Sequence, residues 1–400
     1  MAALKKQKTF YDKKKEFSKF AIPAMKIDSV LHQYERRLKP LIFEICNGGY
    51  PWSFTDAFIQ YRKQKLNFNF DLWYMYSYKK LIDIIAGEED NIAKDDRPIF
   101  ECLFDFLSGN HLSCLKSLLD LSSSGNLSEV KITTIMALHY FKPLVPNGAY
   151  VVDNSNPSCH AKCELCAERI VYGDTSIGNK RVWHGKVDIL LQRSIVKVSL
   201  EKDLEDLNLK DEDEDKEIEE TSICKEELAC GLAKSQLVSQ VIVNAFFTSG
   251  KQKFLHNQFI PSFFVTEKYI RIVLYHIELD ILLMSTKLPI WDKERSGELD
   301  VMTLIRVWLA LNYSGSMDKS PEQYQTFLKY TNRSNFKKLL PDDAYSVYLN
   351  NMQQPLNSEK IVSDSYSDDN AGYGFDTQEF ALNCILELNK AMKALDSARK

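Results

Sequence analysis

One stretch constrains the fold of this chain more than any other: residues 181–201, RVWHGKVDILLQRSIVKVSLE. Residues 182–191 and 195–200 are mostly β-branched or apolar, and Gln192-Arg193-Ser194 has the length of a hairpin loop, so the stretch predicts two antiparallel strands. The first carries Asp188 inside an otherwise apolar run, where a carboxylate needs a partner, a cation or a metal. On the second, period-two alternation puts Val196, Val198 and Leu200 on one face and Lys197, Ser199 and Glu201 on the other. A polar row beside an inward-facing Asp outlines a site. The rival reading is an ion pair, Asp188 with Lys197 or Arg181, that serves the fold alone.

The chain has 400 residues, 44% of them hydrophobic. That is ample for packed cores and implies two or three folding units. No apolar run approaches the roughly 20 residues that span a bilayer, and no apolar-centred leader opens the chain, so no membrane association is expected and the compartment is read as cytoplasmic or nuclear. Thiols there stay free or bind metal. The net charge of -4 conceals a division, because residues 201–220 hold twelve Asp/Glu against three Lys, or -9, which leaves about +5 for the remainder. A basic body is compatible with nucleic acid and equally with an ordinary solvated surface.

Taken in order, residues 1–20 hold seven lysines against two acids and read as a basic flexible tail. Residues 21–125 read as an all-helical N-terminal region, with apolar residues three and four apart at 30–45, 52–61, 72–85 and 99–107; such a region could dock a protein partner. Ser128 reads as the N-cap of a helix reaching about Tyr140, with Glu129 in its first turn at the positive end of the dipole. The cysteine cluster follows, Cys159-His160-Ala161-Lys162-Cys163-Glu164-Leu165-Cys166. Cys159, Cys163 and Cys166 resemble half of a zinc site, with Cys224, Cys230, His160 or His184 as spatial complements. Residues 169–176 read as a first strand leading into the hairpin. The acidic run at 202–222 reads as a disordered insertion. A helix is expected from about Cys224 to Thr248, bearing Gln236 and Gln240, and then strands at 259–266, 269–277 and 280–284. Residues 300–311 predict an amphipathic helix. Further helices at 323–328 and 378–395, around a mobile loop at 350–374, close a C-terminal part spanning 316–400.

The core at 126–315 therefore reads helix, strand, strand with Asp, strand with a polar row, helix with Gln, strand. This order, with Glu129, Val187-Asp188-Ile189, the row Lys197/Ser199/Glu201 and Gln236, resembles the PD-(D/E)XK nuclease-like superfamily. Within it, the chain looks most like nuclease-like animal proteins with a Trp-His-Gly-x-x-Asp strand, here Trp183-His184-Gly185-Lys186-Val187-Asp188. The resemblance implies an α/β fold with a restriction-endonuclease-like αβββαβ core and a mixed sheet. It implies hydrolysis of nucleic-acid phosphodiesters with Mg²⁺ or Mn²⁺ held by Asp188, Glu201 and Glu129. Gln236 would position substrate and Lys197 or Lys186 would orient water. The departure lies on the third strand: where the family has Glu-x-Lys, this chain has Ser199-Leu200-Glu201. A catalytically silent relative used for binding or scaffolding fits that departure, and a zinc-stabilised nucleic-acid-binding module fits the cysteines.

Overall fold

Strands β10 (Phe259–Val265), β11 (Tyr269–His276) and β12 (Ile281–Ser285) are buried along their length. Successive side chains point to opposite faces, so Phe263, Ile272 and Leu283 enter one core while Phe264, Val273 and Leu282 enter another. Strands apolar on both faces must be covered on both. The computed structural model of the protein, which describes residues 9–31, 37–64, 68–86, 96–107, 111–123, 128–146, 148–154, 162–191, 197–200, 225–292, 297–313 and 331–352, meets that requirement with three layers.

The first core takes buried residues from α1 (Phe10–Leu31), α3 (Met75–Ala86), α4 (Arg97–Phe106), α5 (His111–Ser123), α6 (Glu129–Ile135) and α8 (Val301–Asn312), with α2 (Phe70–Trp73) leading into α3. The second takes α7 (Lys225–Lys251) and the helix Asp342–Asn350. Ser128 caps α6, its Oγ accepting from the Lys131 N–H at 3.3 Å, and Asp300 caps α8, its Oδ1 accepting from the Thr303 N–H at 2.7 Å.

Between the helical layers lies an eleven-stranded sheet. Its main path runs β2 (Ile59–Lys63), β1 (Arg37–Cys46), β12, β11, β10, β9 (Lys197–Leu200), β8 (Ile189–Leu191), β4 (Tyr150–Asp153) and β5 (Tyr172–Gly173). β3 (Phe68–Asn69) flanks β1, and β13 (Leu288–Pro289) flanks β11. Neighbours along the path are antiparallel except β9 with β10 and β4 with β5. A parallel pair needs a crossover, and α7 supplies it between β9 and β10. β6 (Ser176–Gly178) and β7 (His184–Lys186) form a separate two-stranded ribbon.

Several expectations change. The N-terminal region is not all-helical: residues 37–46 and 59–63 are strands, and β1 pairs with β12, so they extend the same sheet as the core. The 37–46 run RLKPLIFEIC is buried on both faces in its middle, and a doubly buried strand lacks the alternation that separates strand from helix. Residues 10–20, expected in a flexible tail, belong to α1, whose Phe17 and Ala21 are fully buried. The strand that pairs antiparallel with β8 is β4, while the expected first strand at 169–176 divides into β5, which lies parallel to β4, and the start of β6 in the ribbon. The expected strand 182–191 is broken, since β7 joins the ribbon and only β8 joins the sheet. The acidic run 202–222, Glu201 and the expected features at 323–328, 353–374 and 378–395 lie outside the described residues. Among the described residues, no helix is long and apolar enough to cross a membrane.

Candidate metal centre and sheet edge

The antiparallel register pairs Ile189 with Val198 and Leu190 with Lys197; continued by one residue, it sets Asp188 opposite Ser199. The end of β4 arrives beside them, because the Asp153 N–H donates to the Asp188 carbonyl at 3.0 Å. One edge of the sheet therefore gathers Asp153, Asp188 and the end of β9. Lys186 donates through Nζ to Asp153 Oδ1 at 3.1 Å and to Asn154 Oδ1 at 3.4 Å. Behind the edge, Gln240 of α7 is buried and its Nε2 donates to the Lys186 carbonyl at 3.5 Å.

Among the glutamines of α7 it is thus Gln240, not the expected Gln236, that touches the Asp188 segment; Gln236 is half-buried and its carbonyl accepts from Ser239 Oγ at 2.8 Å. Glu129 opens α6, which lies against β9, but its side chain, like those of Lys197 and Ser199, is outside the description. Asp153 closes β4, about twenty residues upstream of the expected first strand, and Tyr-Val-Val-Asp at 150–153 repeats the pattern of Val187-Asp188. Of the acids expected to hold Mg²⁺ or Mn²⁺, Asp188 stands at this edge beside Asp153, which Lys186 bonds, while Glu201 and the Glu129 side chain lie outside the described residues; among the described residues no third acid joins the two.

The Trp-His-Gly run has another use. Trp183 is fully buried, its Nε1 donates to Asn47 Oδ1 at 2.9 Å, and its ring stacks on Phe336 with centroids 5.5 Å apart. His184, proposed above as a zinc complement, pairs its Nδ1 with the Val182 carbonyl at 2.9 Å and is remote from the cysteines in topology.

A second cluster lies where the helical layer meets the outer strands. α6 continues into a π-turn, Met136–Phe141, whose widened i→i+5 bonding carries His139 into the core at 2% exposure. Its Nε2 lies 3.4 Å from Cys163 Sγ and 3.6 Å from Cys166 Sγ, and the three potential ligand atoms lie within 4.8 Å of one another. The two thiols sit on a tight reversal. The Cys163 N–H donates to the Glu168 carbonyl at 2.8 Å, the Ala167 N–H to the Cys163 carbonyl at 2.9 Å, and the Glu168 N–H to Cys166 Sγ at 3.4 Å. Ala167 takes φ 58°, an uncommon state for a residue with a Cβ. Lys162 and Arg169 bridge the legs of the turn.

Burial pushes the His139 imidazole down to about 4, with His111 and Lys142 adding and Glu168 opposing. The ring is therefore neutral at ordinary pH, the form that ligates metal. Burial likewise raises the Cys114 and Cys166 thiols, and the nearby Cys163 adds to both. Cys159 and His160 lie outside the described residues, so the thiols that converge are Cys163 and Cys166, and their histidine comes from the π-turn. His139 carried no local signal, being twenty-four residues upstream within an apolar helix.

Fold and clusters define the chain as a three-layer α/β protein with a histidine–cysteine ligand set at its outer strands. Comparison with protein-family models, with curated proteins and with solved structures finds no match.

Proposed function

We propose that this chain is a nuclease-fold protein that binds nucleic-acid phosphodiesters along the edge formed by the ends of β4 and β9 and the start of β8, without hydrolysing them. The observation that carries this reading is that α6, β4, β8, β9, α7 and β10 follow in chain order, with β5 and the β6–β7 ribbon inserted between β4 and β8: a helix, three strands paired antiparallel in turn, a crossover helix and a strand parallel to the third. With that insertion set aside the order is like the αβββαβ order of the PD-(D/E)XK resemblance, and Asp188 then takes the strand-start position where such folds keep their acid. Lys180, Arg181 and Lys186 add exposed cations on the adjoining β6–β7 ribbon, the side-chain type that meets phosphate.

Two features support binding over cleavage. Ser199 stands opposite Asp188 where the family's pattern calls for an acid, and Lys186 is engaged by Asp153. A lysine held by a neighbouring carboxylate offsets charge developing on phosphate in the transition state less than an unpaired one.

The test is fluorescence anisotropy of the full chain with single- and double-stranded DNA and RNA, with and without Mg²⁺ or Mn²⁺, with the oligonucleotides recovered and sized afterwards. The expected result is saturable, salt-sensitive binding with intact product, weakened by about tenfold in Lys186→Glu. Metal-dependent cleavage that disappears in Asp188→Ala would replace this reading with an active nuclease. Absence of binding at low salt would leave a scaffold protein instead.

A further inference from the structure

We infer that His139, Cys163 and Cys166 hold one zinc ion that pins the helical layer to the outer strands of the sheet. Three observations carry this. The first is distance. A tetrahedral ion bonded to nitrogen at about 2.0 Å and to sulfur at about 2.3 Å separates the two donors by about 3.5 Å; the two N···S separations here are 3.4 and 3.6 Å. The second is the shape of the Cys163–Cys166 turn, with two residues between the thiols, a left-handed residue directly after the second, and a backbone N–H aimed at its sulfur. That N–H stabilises a thiolate more than a thiol, because an anionic acceptor strengthens the bond. The third is the π-turn, which falls at the histidine that meets both thiols.

Cys114 is buried on α5, which packs against the π-turn, and stands outside the three ligand atoms that lie within 4.8 Å of one another. Soft sulfur with imidazole selects zinc over hard cations; two of the three ligands, His139 and Cys163, are buried, and Cys166 faces solvent. Binding releases the thiol protons to solvent. The centre does not depend on the nucleic-acid reading.

The experiment is metal analysis of the unaltered full chain, purified without chelator, followed by replacement with Co²⁺. One zinc per chain and a sulfur-to-cobalt charge-transfer band are expected. The band should fall by about half in Cys163→Ser, which removes one of two thiolates. Cys166→His should keep the metal, whereas His139→Ala should lower its retention at least tenfold. Cys102→Ser, on α4 and outside the cluster, should match the wild type. Thiol alkylation of the wild type should label Cys163 and Cys166 faster after chelation, a readout that needs no variant. Zinc well below stoichiometry with no charge-transfer band in the wild type would overturn the site, and an undiminished band in Cys163→Ser would overturn its thiolate ligation.

Discussion

Trp183 shows how a residue that looks like part of a chemical motif can serve packing. Its indole is closed off by Phe336, its N–H is satisfied by Asn47, and the Asn47 side chain also bonds the Phe58 N–H and the Asp56 carbonyl. Trp183→Ala should cost about 3–5 kcal/mol of unfolding free energy, the range for large aromatic truncations in a core; a loss under about 1 kcal/mol in denaturant melts would contradict that role. Gly185 follows at φ 148°, and a Cβ there would stand 2.8 Å from Phe54 Cδ2. His276 offers a pH prediction. The ring is fully buried, its Nδ1 accepts from the Leu279 N–H at 3.2 Å, and its Nε2 has no partner among the described residues. Burial, aided by His256, pushes it down to about 4, against about 6.5 in the unfolded chain. The unfolded state therefore binds more protons between those values, so this group's contribution is intact above about pH 6.5 and lost as pH falls toward 4. From pH 7 to 5 the wild type should lose about 2 kcal/mol more than His276→Leu. Parallel stability curves would refute the assignment.

The elements differ in how plainly the sequence announces them. α8 is announced twice, by apolar periodicity and by Asp300 at its N-cap, and Asp300→Ala should cost about 1 kcal/mol, checked by urea unfolding. β10, β11 and β12 are marked by β-branched and aromatic runs between short polar turns. β1 is hidden because burial on both faces removes alternation, and β4 because four residues give period-two reasoning too little to work on. α7 was legible, yet which of its glutamines meets the strand depends on packing, and Gln240 rather than Gln236 reaches the Lys186 carbonyl. At the cluster the C-x2-C turn could be read directly, whereas His139 could not, since a π-turn is set by tertiary fit. α1, read in part as a tail, places Phe17 against Phe104 with ring centroids 5.2 Å apart. Phe17→Ala should destabilise by about 3–5 kcal/mol, and a variant that melts with the wild type would show that α1 is dispensable.

At the scale of the molecule, one sheet joins the N-terminal strands β1 and β2 to β4 and β8 to β12, so the chain does not part into a helical unit and a sheet unit at residue 125. The segment 331–352 returns to the same sheet: Ser334 accepts through its carbonyl from the Phe43 N–H at 2.7 Å, and Tyr348 donates to the Gly48 carbonyl at 2.8 Å. Charge is distributed unevenly over this frame, with twelve of the chain's 55 acids in residues 201–220, directly after the end of β9. If phosphate binds at that edge, those carboxylates oppose it through space, most strongly at low salt. Deleting residues 203–220 should tighten nucleic-acid binding several-fold at low ionic strength and by less as salt rises. Equal affinity across a salt series would mean that the acidic run does not face the binding edge.

The most direct test of the central claim, that phosphodiester binding occurs at the edge where Asp153, Asp188 and the end of β9 meet, is hydrogen exchange of the full chain with and without saturating duplex and single-stranded oligonucleotide. Slowed exchange is expected to concentrate in residues 151–154 and 184–190, with the 176–186 ribbon following. Slowing confined to the helices at 97–123, or no change at a concentration where binding is complete, would contradict it.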